Sequence, residues 1–157
     1  MLTDFATRWR PENRYTPRPM DCDYDVPESV VLSFIAAMHQ WELDSHASCR
    51  AVRDSPDPAS YQPAVAAAMA DVFSQFCTPK PRPNGRNASF QNPPEYNPDH
   101  ESIESSELLG ACASVCTRRD AVFGGTFRYT LKRIGSRWLI DTLKQRNDDG
   151  SESPAVL

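Results

Sequence analysis

Glycine is scarce in this chain: 6 residues in 157, against 14 prolines. That balance excludes a repetitive or collagen-like architecture and predicts long irregular connections stiffened by proline. No apolar run reaches the ~20 residues a bilayer requires; the longest, Val30 to Met38, is broken by Ser33. Met1 to Arg10 lacks the apolar stretch of a secretory signal. The five cysteines, Cys22, Cys49, Cys77, Cys112 and Cys116, form an odd set without a CxxC pair. This pattern points to free thiols in a reducing compartment, read here as the cytoplasm, so the Asn87-Ala88-Ser89 glycosylation pattern is a chance match. An excess of positive charge is missing too. The net charge is -4 with a pI near 5.3, which argues against nucleic acid and anionic membranes as partners and in favour of a basic protein. GxSxG, GxGxxG, P-loop and HExxH signatures are absent, so no familiar enzyme class is indicated and no cofactor is expected.

What is present suits one domain. A 157-residue chain with 39% hydrophobic and 24% charged residues can bury roughly 70% of its unfolded surface. Residues 1–24 mix Arg8, Arg10, Arg14 and Arg18 with acids, aromatics and prolines without any period, and are expected to form a loosely ordered arm. Asp25 and Glu28 have the spacing of a capping box, with Pro27 between them in the first turn. Val31, Phe34, Ile35, Met38 and Trp41 then fall on one helical face, and Asp54-Ser55-Pro56-Asp57-Pro58 stops the helix. A second helix is expected from Gln62 to Cys77, with Val65, Met69, Val72, Phe73 and Phe76 as its stripe. Six prolines and four asparagines between Pro79 and Pro98 predict a loop over 79–100, packed down through Phe90 and Tyr96.

The last third alternates with the period of strands. Leu109, Ala111, Ala113 and Val115 mark one strand; Phe127, Tyr129 and Leu131 mark the next. Gly135-Ser136 suits a hairpin turn, after which Trp138, Ile140 and Thr142 share a face. Residues 147–157 form an acidic tail without period. Helices followed by a meander give an α+β fold over residues 25–146, with the helices covering one face of a curved antiparallel sheet.

Two carboxylates carry the chemical possibilities. Glu42 projects within the apolar stripe of the first helix, with His39 and His46 along its edge; either the three converge on an acid–base or metal site, or the helix has outrun the core and Glu42 stands in water. Asp141 lies in register with Leu139 and Leu143, either as a half-buried base with Tyr129 as donor or as the ion-pair partner of Lys132 or Arg128. Cys112 and Cys116, four apart on a strand, are about 13 Å from each other and cannot share a metal. Cys77 is expected to be an inert structural thiol. No metal site is expected.

The segments Pro27-Glu28-Ser29-Val30-Val31, Phe34-Ile35-Ala36-Ala37-Met38, Trp41-Glu42, Phe76-Cys77-Thr78-Pro79, Pro93-Pro94-Glu95-Tyr96, Glu101, Ile103, Tyr129-Thr130-Leu131 and Trp138-Leu139-Ile140-Asp141 together resemble the nuclear transport factor 2-like immunity proteins of bacterial polymorphic toxin systems. The resemblance covers about residues 27 to 146. It implies a cone, made of a strongly curved sheet with helices across its concave side and a pocket at the open end. It also implies binding and occlusion of a cognate toxin, with no catalytic set. Phe90, Glu95 and Tyr96 are then the expected partner contacts. The rival reading is a small-molecule binder or an isomerase- or dehydratase-like enzyme, its pocket lined by Trp41, Glu42, Phe76, Tyr129, Trp138 and Asp141. A homodimer through the open sheet face is a third.

Overall fold

The computed structural model describes residues 22–82, 85–86, 88–121 and 124–157. Two helices, α1 (Pro27–Val52) and α2 (Gln62–Phe76), precede an antiparallel meander of β1 (Glu101–Leu109), β2 (Cys112–Arg119), β3 (Gly125–Ile134), β4 (Arg137–Arg146) and β5 (Glu152–Pro154), in spatial order 1-2-3-4-5. The α+β class and the order of layers are those expected from the sequence.

α1 buries Val30, Val31, Phe34, Ile35, Met38 and Trp41 completely or nearly so. Its start differs from the capping box. Val26 occupies the N-cap without a side-chain bond, while the Asp23 amide donates to Ser29 Oγ (3.0 Å) and the Asp25 amide to Asp23 Oδ1 (2.9 Å). Pro27 in the first turn lacks an N–H and needs no cap. α2 is the outer helix: of its stripe, only Val65 and Phe76 are buried, and Met69, Val72 and Phe73 are half-buried. The Trp41 indole donates to the Val65 carbonyl at 3.0 Å and ties the two helices.

The sheet presents Ala113, Val115, Phe127, Tyr129, Leu131, Trp138 and Ile140 to the helices. Gly110-Ala111 and Gly135-Ser136 make two-residue hairpins, with glycine φ values of 64° and 62° that a side chain would resist. Three expectations about the sheet are corrected. Leu109 and Ala111 do not continue into β2; Leu109 ends β1, a serine-rich strand whose weak alternation concealed it, and Ala111 sits in the turn. Thr142 does not share the face of Ile140, because the register jumps from Thr130↔Thr142 to Leu131↔Ile140 and leaves Asp141 as a bulge. Leu143 is turned inward instead. Finally, 147–157 closes back on the sheet: β5 pairs with β4, and Leu157 is buried with its carbonyl accepting from the Arg86 amide at 2.9 Å. A three-residue strand leaves no period to read.

Of the N-terminal arm, only Cys22, Asp23 and Tyr24 are among the described residues. Tyr24 stacks on Phe76 (centroids 6.2 Å apart), and its carbonyl accepts from the Trp138 amide at 2.9 Å.

Candidate functional site

The loop at 79–100 is held from beneath by a polar cluster inside the cone. Tyr96 is fully buried, its ring edge-on to Phe34 (5.7 Å) and flanked by the guanidinium groups of Arg86 (5.2 Å) and Arg119 (5.0 Å). Glu42, also fully buried, accepts from the Tyr96 amide (3.0 Å) and the Gln91 amide (3.3 Å) and lies 3.6 Å from Arg86. Arg86 pairs with Glu95 at 2.6 Å, Glu95 with Arg119 at 3.3 Å, and Arg119 with Glu101 at 2.9 Å. Glu101 further accepts from Thr117 (2.7 Å) and from the Tyr129 hydroxyl (3.4 Å). Three carboxylates and two guanidinium groups thus form one chain across α1, the loop and the sheet.

Burial raises the Glu42 pKa, against the opposing pull of the Tyr96 amide and Arg86. For Arg119, burial disfavours the cation, but Glu101 together with Tyr129 and Tyr96 outweighs it and the pKa rises. Burial pushes the Tyr96 phenol up to about 12. Its hydroxyl has no hydrogen-bond partner among the described residues. Glu42 is therefore not in water, and the three side chains form no common cluster: His39 contacts the Tyr96 carbonyl through Nδ1 at 2.7 Å, His46 is half-exposed, and no group of three or more metal-ligating side chains occurs among the described residues.

Asp141 belongs to a different environment. Its Oδ1 accepts from Thr78 Oγ1 (2.8 Å) and faces Lys80 Nζ (3.1 Å); its Oδ2 faces Lys132 Nζ (3.0 Å). Burial would raise its pKa, but the Thr78 hydroxyl and the two ammonium groups outweigh it and hold the carboxyl at about 2. A carboxylate so held is a poor general base, and of the two sequence readings the ion pair with Lys132 is the one present. Cys77 is buried, with its thiol pushed up to about 12, and is inert as expected.

The six residues expected to line one pocket are dispersed. Trp41 and Phe76 border a groove of about 450 Å³ on the outside, between α1 and α2, together with Ala37, Ala68 and Val72. Glu42 and Tyr129 are in the polar cluster, Trp138 is buried under Arg133 (5.7 Å) near Tyr24, and Asp141 is at the bulge. The interior expected to be a pocket is occupied by Tyr96 and its arginines. Among the three expected contacts, Phe90 and Glu95 are partly exposed, whereas Tyr96 is wholly inaccessible. The sequence reading missed Arg86, Arg119 and Thr117. Arg119 and Thr117 were detectable, since they continue the inward phase of Ala113 and Val115; Arg86, in an aperiodic loop, left no signal.

Charge is sorted on the outside. From Asp23 to Phe76, leaving out the buried Glu42, there are seven acidic side chains against Arg50 and Arg53, while β3 and β4 carry six basic ones against Asp141. The helical layer is acidic and the central hairpin basic, with Arg128 pairing Glu152 across β4. Neither described helix is long and apolar enough to cross a membrane.

A family model described as NTF2 fold immunity protein matches residues 26–152. The immunity protein RhsIA of Dickeya dadantii (strain 3937) is 34% identical over 116 residues, which span 73% of this chain and 82% of that protein. No solved structure matches. With a match over most of its length, and a helix-then-meander fold of the kind the resemblance implied, the chain belongs to the NTF2 fold immunity protein family.

Proposed function

We propose that this immunity protein binds and neutralises a cognate toxin domain by occlusion, laying its acidic helical layer on a basic toxin surface in the cytoplasm, without chemistry of its own. The observation that carries the reading is the filled interior. Where a catalyst of this shape needs space for substrate, Tyr96 lies between Arg86 and Arg119, and each candidate carboxylate is already engaged, Glu42 by two amides and Arg86, Asp141 by Thr78 and two lysines. A packed interior instead makes a stiff platform, which lowers the ordering cost of association. Glu95 and Phe90 stand at the surface of that platform as partner contacts. Glu95 is fixed by both arginines, and Phe90 is edge-on to Trp41 (6.3 Å) and Tyr61 (6.1 Å). Tyr96 holds them from inside. The opposing charges of toxin and helical layer would speed encounter and make it salt-sensitive. Five free cysteines suit a reducing cytoplasm. A second copy could occupy the outward sheet face, which no described element covers, but nothing else favours that arrangement.

The test is purification of the tagged full chain from its own cells at low and high salt, followed by co-expression of the recovered polypeptide. One stoichiometric polypeptide that is lost at high salt, and that arrests growth unless this chain is present, is the expected result. A small molecule in place of a protein, or toxicity that the chain does not relieve, would overturn the proposal.

A further inference from the structure

The two edges of the sheet are treated differently by the rest of the chain. The β4 edge is covered along its length: β5 takes Lys144–Arg146, Ala155 donates to the Leu143 carbonyl, Thr78 to Ile140, and the Trp138 amide bonds to Tyr24. Arg82 adds its guanidinium to the carbonyls of Ile140 and Asp141. The β1 edge receives none of this. Among the described residues, β1 makes backbone hydrogen bonds only to β2, and every residue from Glu104 to Leu109 is exposed. Native proteins blunt such an edge with proline, lysine or a bulge. Here a bulge at Glu104 interrupts the pairing, but Ser105-Ser106-Glu107-Leu108-Leu109 beyond it is regular and has neither proline nor lysine. Leu108 and Leu109 are the two most exposed large hydrophobic residues described, at 64% and 58%.

We infer that Ser105–Leu109 is a docking edge on which an extended, basic and apolar segment of the toxin adds as a sixth strand; this rests on the immunity reading above. Main-chain pairing supplies affinity in this mode of recognition, and alternate side chains supply specificity. Glu107 is opposite Ser114 in the ladder, so a cation on an incoming strand meets a carboxylate that its own sheet does not neutralise. Leu108 and Leu109 lie on opposite faces and offer apolar contact on each side of the added strand. The same glutamate disfavours a second copy of this chain as the occupant. A two-fold antiparallel pairing centred on Ser106, Glu107 or Leu108 brings the two Glu107 carboxylates opposite or diagonal to each other, where like charges repel.

The experiment is hydrogen exchange on the full chain, free and in complex with the polypeptide recovered as described above, combined with affinity measurements on charge variants. Expected are slowed exchange of the Ser105–Leu109 amides in the complex and a loss of affinity of about 10-fold or more for Glu107→Lys. Asp148→Lys, the same charge change in the exposed turn between β4 and β5 at the opposite edge of the sheet, should cost less than about 3-fold, as expected of a steering charge outside the contact. Thermal unfolding of both variants, close to that of the parent, separates binding from folding. Unchanged β1 exchange in a formed complex overturns the inference and leaves the immunity reading standing. β1 protection that instead grows with concentration in the free protein overturns it in favour of self-pairing. Failure to relieve toxicity ends both, and is read from growth rather than from exchange.

Discussion

Glu42 and Asp141 are both carboxylates within a hydrophobic framework, and both read from sequence as possible bases, yet the fold settles them in opposite ways. Glu42 is fully buried on α1 and is met by two backbone amides and one guanidinium; burial dominates and its pKa rises. Asp141 sits at a bulge, only 7% exposed, where two half-exposed lysines and the buried Thr78 hydroxyl meet it, and its pKa falls to about 2. The difference is one of partners. Backbone amides hold Glu42 in place and thereby hold the loop, whereas half-exposed ammonium groups stabilise the charge of Asp141 with less consequence for the backbone around it. One carboxylate organises structure and the other decorates it, and mutation can separate the two roles.

The largest effect is expected at Glu42. Glu42→Ala leaves two amides without their acceptor in a dry interior and strips Arg86 of one of its two carboxylates, a loss of about 3–5 kcal/mol. For a chain of this size that corresponds to a fall in melting temperature of roughly 10 °C or more. Hydrogen exchange should show the Gln91 and Tyr96 amides opening first. A drop of only a degree or two would mean that the loop does not depend on this carboxylate, and the contrast with Asp141 would collapse.

Asp141→Asn should cost less, about 1–2 kcal/mol at neutral pH, because Lys80 and Lys132 are roughly half-exposed and their attraction is screened. The pH dependence distinguishes the two sites. The folded pKa of Asp141 is below its ordinary 3.8, so its contribution is present above that value and fades as pH falls towards 2. Urea midpoints between pH 4 and pH 2 should therefore fall less steeply for Asp141→Asn than for the parent. Glu42 has the opposite sign. Its raised pKa means that the neutral form favours folding fully below the ordinary 4.5 and that this contribution is lost as pH rises through the folded value. Against Glu42→Gln, the parent should accordingly gain stability as pH falls towards 4.5. Parallel profiles for parent and variant would contradict the buried assignment.

How much of this was legible follows from the same distinction. The helical stripe from Val30 to Trp41 and the alternation of Phe127, Tyr129 and Leu131 are dictated by burial on one face, so a single sequence displays them. β1 escaped notice because it buries little, and a strand exposed on both faces has no reason to alternate. Thr142 was assigned to the face of Ile140 because the bulge at Asp141 adds one residue without changing the pattern before or after it. The polar cluster was legible only in part. Glu42 stood out as a charge in an apolar stripe, but its partner Arg86, and Glu95 that Arg86 also pairs with, come from an aperiodic loop 44 and 53 residues further along the chain, and no spacing rule connects them.

The smallest effect sharpens the contrast furthest, because it distinguishes a buried group that matters from one that does not. Tyr96 is as completely buried as Glu42 and lies in the same cluster, but its hydroxyl makes no hydrogen bond among the described residues. What Tyr96 contributes is its ring, packed on Phe34 and between two guanidinium groups. Tyr96→Phe keeps the ring and removes an oxygen desolvated without return, so thermal unfolding should show a change within about 0.5 kcal/mol or a slight gain. Tyr96→Leu keeps apolar volume but loses the face that both arginines lie against, and should cost about 2 kcal/mol or more. A loss in Tyr96→Phe comparable to that in Tyr96→Leu would show that the hydroxyl is bonded in solution. The hydroxyl would then be a member of the polar network rather than a bystander enclosed by a chain of ion pairs.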